Sequence, residues 1–156
     1  MPTIASITYR PKDSATPVPA VGFLRVPLAE AALTEGLGID GDFNAQPQRN
    51  LNVMDRLTLR ELGAQGLPTF PGALGENIVL DGIDLRTLPA GTRLRLGAHA
   101  VIAITALRAG CDKLHRIDER MPGQTVGRIG VMAQVVQAGQ IRVGDEAAIV
   151  EAVAGD

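Results

Sequence analysis

Short apolar runs cut by glycine constrain this chain more than any other feature. Residues 3–10, 21–28, 49–54, 78–80, 93–96, 101–107, 131–136, 141–143 and 147–150 are each only a few residues long and rich in β-branched or aliphatic side chains. Such runs, bounded by turn residues, read as strands. The turns are supplied by 18 glycines and 10 prolines. About eight short strands with two or three small helices predict a mostly β fold, a barrel carrying its helices on the rim. Pro27, inside the second run, predicts an edge or a bulge there, because proline cannot donate to a ladder.

One helix is legible with its ends. Asp55 has the chemistry of an N-cap for a helix over 56–65, Leu59 and Leu62 fall on one face, and Gly66 can supply a left-handed stop. The apolar stripe is narrow, which predicts a helix lying outside the main body and covering one side of it. Leu114 and Ile117 suggest one or two further helical turns, ended by Pro122-Gly123, and residues 151–156 read as a frayed tail. Similar glycine-launched strands at residues 90–97 and 138–144 are too short an echo to define a repeat.

At 156 residues the chain can bury a core without metal or disulfide, and a single unit over 1–156 is the expectation. One cysteine allows no intramolecular disulfide and suggests a reducing, cytoplasmic setting. No leader-like segment or membrane-length apolar run is apparent, so no membrane partner is expected. A net charge of -2 and 3% aromatic residues give neither the electrostatic footprint nor the stacking surface that nucleic acid requires. Of the 15 basic residues only Lys12 and Lys113 are lysines, and neither stands in a context that suggests a Schiff base.

The lone cysteine lies in Arg108-Ala109-Gly110-Cys111-Asp112-Lys113-Leu114-His115-Arg116. The apolar run 101–107 feeds into it, placing Cys111 where a strand ends and a short helix begins. Free amides at a helix start favour thiolate over thiol, and Arg108, Lys113, His115 and Arg116 push the same way while Asp112 opposes them. The residues alone leave two readings open: a reactive thiol, or a small buried hydrophobe beside a solvated rim. Two glycine-rich loops stand elsewhere. Gly36-Leu37-Gly38-Ile39-Asp40-Gly41-Asp42 ends on acidic residues, and Pro71-Gly72-Ala73-Leu74-Gly75-Glu76-Asn77 leads into a buried strand. Glu76 and Asn77 need polar partners, either backbone that ties down the loop or a ligand at a pocket floor.

Taken as an ordered set, these segments resemble the MOSC domain, the family named for the C-terminal domain of molybdenum cofactor sulfurase. The set is Gly38 to Asp42, Leu51-Asn52-Val53-Met54-Asp55, the loop ending Gly75-Glu76-Asn77-Ile78, residues 90–97, the cysteine segment, and Gly130-Val131-Met132-Ala133 through Val143-Gly144-Asp145. The resemblance spans residues 34–150. Cys111 matches the family's cysteine, Arg108 an arginine often found upstream of it, Asp42 the end of a glycine-acid motif, and Glu76 and Asn77 the Gly-Glu-Asn motif. The chain departs at Gly110, where many relatives have proline, and at Phe43-Asn44, where many have a basic or histidine residue.

The resemblance implies a β-barrel whose cysteine carries persulfide sulfur or ligates molybdenum in a pterin cofactor. Cys111 would be the catalytic residue and the metal ligand, with Arg108, Lys113 and His115 supporting its thiolate. Asp42, Arg49, Glu76, Asn77 and Arg128 would bind cofactor, the two arginines as charge partners. Pyridoxal phosphate enters only by family association, through a desulfurase that would donate the sulfur. Expected partners are a cysteine desulfurase or an electron-transfer protein, and a small-molecule acceptor. Alternative readings are a molybdenum-dependent reductase of N-hydroxylated compounds working with a partner electron donor, and a non-enzymatic barrel that binds an anion or a protein.

Overall fold

A computed structural model describes residues 1–12, 24–43, 47, 50–108 and 130–151. The chain runs β1 (Thr3–Tyr9), β2 (Val26–Pro27), β3 (Glu30–Thr34), β4 (Gly38–Ile39), β5 (Leu51–Asp55), α1 (Arg56–Ala64) and β6 (Ile78–Asp81). A 3-10 turn (Leu85–Thr87), β7 (Arg93–Leu96), β8 (Ala100–Leu107), β9 (Val131–Gln137), β10 (Gly139–Arg142) and β11 (Ala147–Glu151) follow. The mostly β, barrel-like expectation holds. No helix among the described residues is long and apolar enough to cross a membrane.

An eight-stranded sheet has the order β11-β7-β8-β9-β5-β6-β1-β2, and a three-stranded sheet has the order β10-β3-β4. The large sheet curls until β1 meets the connection that leads into β11. Ile4 N donates to Asp145 O (2.9 Å), Gly144 N to Ile4 O (2.8 Å) and Ala147 N to Pro2 O (2.9 Å). The small sheet closes over another part of the curl. Gly139 sits so near β8 that a Cβ there would lie 2.5 Å from Ala100 N, an approach only glycine allows.

Two apolar clusters follow from side-chain alternation. Ile78 and Leu80 point into the interior with Leu51, Val53, Ile102 and Val135, whereas Val79 points outward to Met54, Leu59 and Leu62 under α1. Being buried on both faces is why β6 reads as an unbroken apolar run. Burial of a leucine such as Leu62 contributes about 2 kcal/mol relative to exposure. β5 and β6 are parallel, with Val53 opposite Ile78, and α1 lies in the crossover between them.

Sequence expectation and structure differ in places. The run 21–28 contributes only β2 among the described residues, at the sheet margin where Pro27 forfeits no ladder bond. The strand Glu30–Thr34 was not foreseen, because its alternation rests on just Ala31 and Leu33. The helix ends at Ala64, with Gln65 as C-cap and Gly66 at φ +85°, one residue earlier than expected. The last strand runs through Glu151, one residue beyond its expected end, and residues 152–156 lie outside the described residues. The helical turns expected near Leu114 and Ile117 lie outside the described residues.

Candidate functional site

The glycine loop before β6 is built around its own glutamate. Gly72 and Gly75 take positive φ, which folds residues 71–75 back so that their amides face Glu76. Glu76 Oε2 accepts from Gly72 N (3.0 Å) and Oε1 from Leu74 N (3.2 Å), with the residue 1% exposed. Burial pushes the carboxyl up to about 7; the amides of Leu74 and Gly72, and then the charge of Arg108, pull it back toward the ordinary range.

Asn77 acts as a clamp between strands. Its Oδ1 accepts from Asn52 N (3.0 Å), and its Nδ2 donates to Thr8 O (3.2 Å). Thr8 Oγ1 in turn donates to Glu76 O at 2.7 Å. These bonds tie the loop to β1 and β5.

Asp42 follows β4 and is 1% exposed. Its Oδ1 accepts from Arg10 N (3.1 Å), and Phe43 N donates to Arg10 O (2.7 Å). Phe43, a departure from the family pattern, places its ring under the Arg10 guanidinium, 4.0 Å from centroid to carbon.

Two arginines join these loops. Arg25 donates from Nη2 to Gly75 O (3.2 Å) and from Nη1 to Leu24 O (2.7 Å). Burial lowers its guanidinium below the usual range, Asp42 and Glu76 oppose that effect, and Arg10 adds to it. Arg108, 6% exposed at the end of β8, donates its backbone N–H to Gly130 O (3.0 Å) and acts electrostatically on Glu76. Arg108 and Gly130 are thus joined by a backbone bond, and the charge of Arg108 reaches Glu76.

The structure therefore gathers Asp42, Glu76, Asn77 and Arg108 into one buried neighbourhood. Cys111, Lys113, His115, Arg49 and Arg128 lie outside the described residues. Arg25 was not foreseen, since an arginine within an extended run ordinarily reads as a solvated side chain; its flanks, Phe23-Leu24 and Val26, were the available signal. Among the described residues, no three His, Cys, Asp or Glu side chains converge as a metal set. Arg25 and Arg108 suit an anionic group, whereas the Asp42 and Glu76 carboxylates are directed at backbone amides and arginines.

A curled β domain with a buried acid–arginine network is the class these features define. The family model of the MOSC domain matches residues 40–148, and the chain belongs to that family. The family is associated with molybdenum cofactor binding and sulfur handling. A comparison with curated proteins finds no match. Among solved structures, YiiM from Geobacillus stearothermophilus aligns with TM-score 0.75 and 23% identity, over 97% of this chain and 76% of that one. YiiM from Escherichia coli gives 0.68 and 25%, over 98% and 72%. The YUAD protein from Bacillus subtilis gives 0.73 and 19%, over 94% of each chain.

Proposed function

We propose that this MOSC domain uses Cys111 to hold sulfane sulfur and pass it on. The observation that carries the reading is Arg108: a buried cation three residues before Cys111, whose charge acts on Glu76. A fixed positive charge in a poorly solvated setting favours the thiolate over the thiol. The thiolate would attack the terminal sulfur of a donor persulfide, forming a Cys111 persulfide as the donor S–S bond breaks and the donor leaves as thiolate. No net oxidation accompanies that step. Lys113, His115 and Arg116 are the further cations of the segment, and a cysteine desulfurase is the donor class that suits it.

Molybdenum cofactor binding is the companion role. The cofactor, when bound, supplies a metal centre for which a thiolate is a suitable soft ligand. Arg25 and Arg108, with Arg49 and Arg128, are this chain's candidates for its anionic part.

The test is the rate of Cys111 alkylation by iodoacetamide against pH, paired with intact mass spectrometry of unreduced protein after incubation with polysulfide. An apparent pKa well below the ordinary value of about 8.5, and a gain of one sulfur atom that disappears in C111S, is the expected result. A thiol that titrates at or above the ordinary value and takes up no sulfur overturns the reading.

A further inference from the structure

A cleft lies between α1 and the outer face of β1 and β6, sharing Pro71 with the glycine loop before β6. Its volume, about 520 Å³, is in the range that holds small molecules. The space exists because the walls are short: Ala5 and Ser6 come from β1 at a register shift between Ile4 and Ser6, and Gly63 comes from the last turn of α1. Bulges commonly re-aim side chains next to binding sites. Leu59, Val79 and Pro71 give the cleft an apolar floor.

Its polar complement is one-sided. Arg56 and Arg60, four residues apart on one helix face, line it with the hydroxyls of Ser6 and Thr69, and no carboxylate does. Among the described residues Arg60, Ser6 and Thr69 make no side-chain hydrogen bond or ion pair. Arg56 is itself paired through Nη1 with Asp81 at 3.4 Å, which leaves its other N–H groups for the cleft, and Asp84 is engaged by Arg86 at 2.9 Å. Two guanidiniums and two hydroxyls over an apolar floor offer donors and positive charge to a ligand that must bring the acceptors.

We infer that this cleft binds a small phosphomonoester, its oxyanion held by Arg60, Arg56, Ser6 and Thr69 and its apolar body lying on Leu59 and Val79. The site is independent of the sulfur-handling reading and does not use Cys111.

Calorimetric titration of the full chain with phenyl phosphate, inorganic phosphate and benzyl alcohol tests the inference. Phenyl phosphate should bind saturably and about tenfold more tightly than either of the others, and added salt should weaken it. R60E should weaken phenyl phosphate by about tenfold or more, S6V should weaken it several-fold, and R93E, on β7, should leave it unchanged. Melting curves of each variant report whether the fold is retained. No saturable binding of phenyl phosphate, equal binding of inorganic phosphate, or wild-type affinity in both folded R60E and folded S6V would each overturn the inference.

Discussion

Glu76 ties the stability of this protein to pH. Its carboxyl is raised from 4.5 to about 7 by burial, so the folded state favours the protonated form. The stabilisation from that group is full below about pH 4.5, declines as pH rises, and is gone above about pH 7. The whole change is on the order of 3 kcal/mol or less. Urea midpoints should therefore fall between about pH 5 and pH 8 in the wild type and change less in E76Q, which cannot ionise. Gly72 is the second sensitive residue. At φ +83° its missing Cβ would lie 2.5 Å from Arg25 Cβ, so G72A should cost about 3 kcal/mol, read from chemical denaturation. At this scale the sequence is informative where a polar residue enters an apolar strand, as Glu76 and Asn77 do. It is silent about Arg25, whose partners Gly75, Asp42 and Glu76 are distant in the chain. Nothing local distinguishes such a residue from an ordinary surface arginine.

At the scale of elements, Asp55 joins two of them. Its Oδ1 caps α1 at Thr58 N (2.6 Å), and its Oδ2 accepts from Leu85 N (3.2 Å) at the 3-10 turn, all with no solvent exposure. D55A should remove both acceptors at once and cost about 2–4 kcal/mol, more than an ordinary cap loss, as a lowered urea midpoint will show. D55N should recover part of the loss. The helix was readable because its signals are local: a capping acid, two leucines on one face and a terminal glycine. The short strands β3 and β4 were not, because they are specified by partners far away. Leu33 pairs with both Ile39 and Gly139, and Asn50 on the way into β5 receives Val135 N (2.8 Å) from β9. A two-residue strand such as β4 has no periodicity of its own to read.

For the whole molecule, the deciding contacts are those between β1 and residues 144–147. A chain ending at Gly144 keeps most of the sheet but loses β11, the Asp145 acceptor for Ile4 and the Ala147 donor to Pro2. Such a truncation should abolish cooperative thermal unfolding. Long-range pairing of this kind also places refolding in the millisecond-to-second range rather than the microseconds of helical bundles, which stopped-flow fluorescence with an added tryptophan would measure. During synthesis β1 must wait, with these neighbours unmade, until residues 144–147 have been added. For that interval its open margin is a template for pairing with other nascent chains. Slower growth or added chaperone should accordingly raise the soluble yield of this protein.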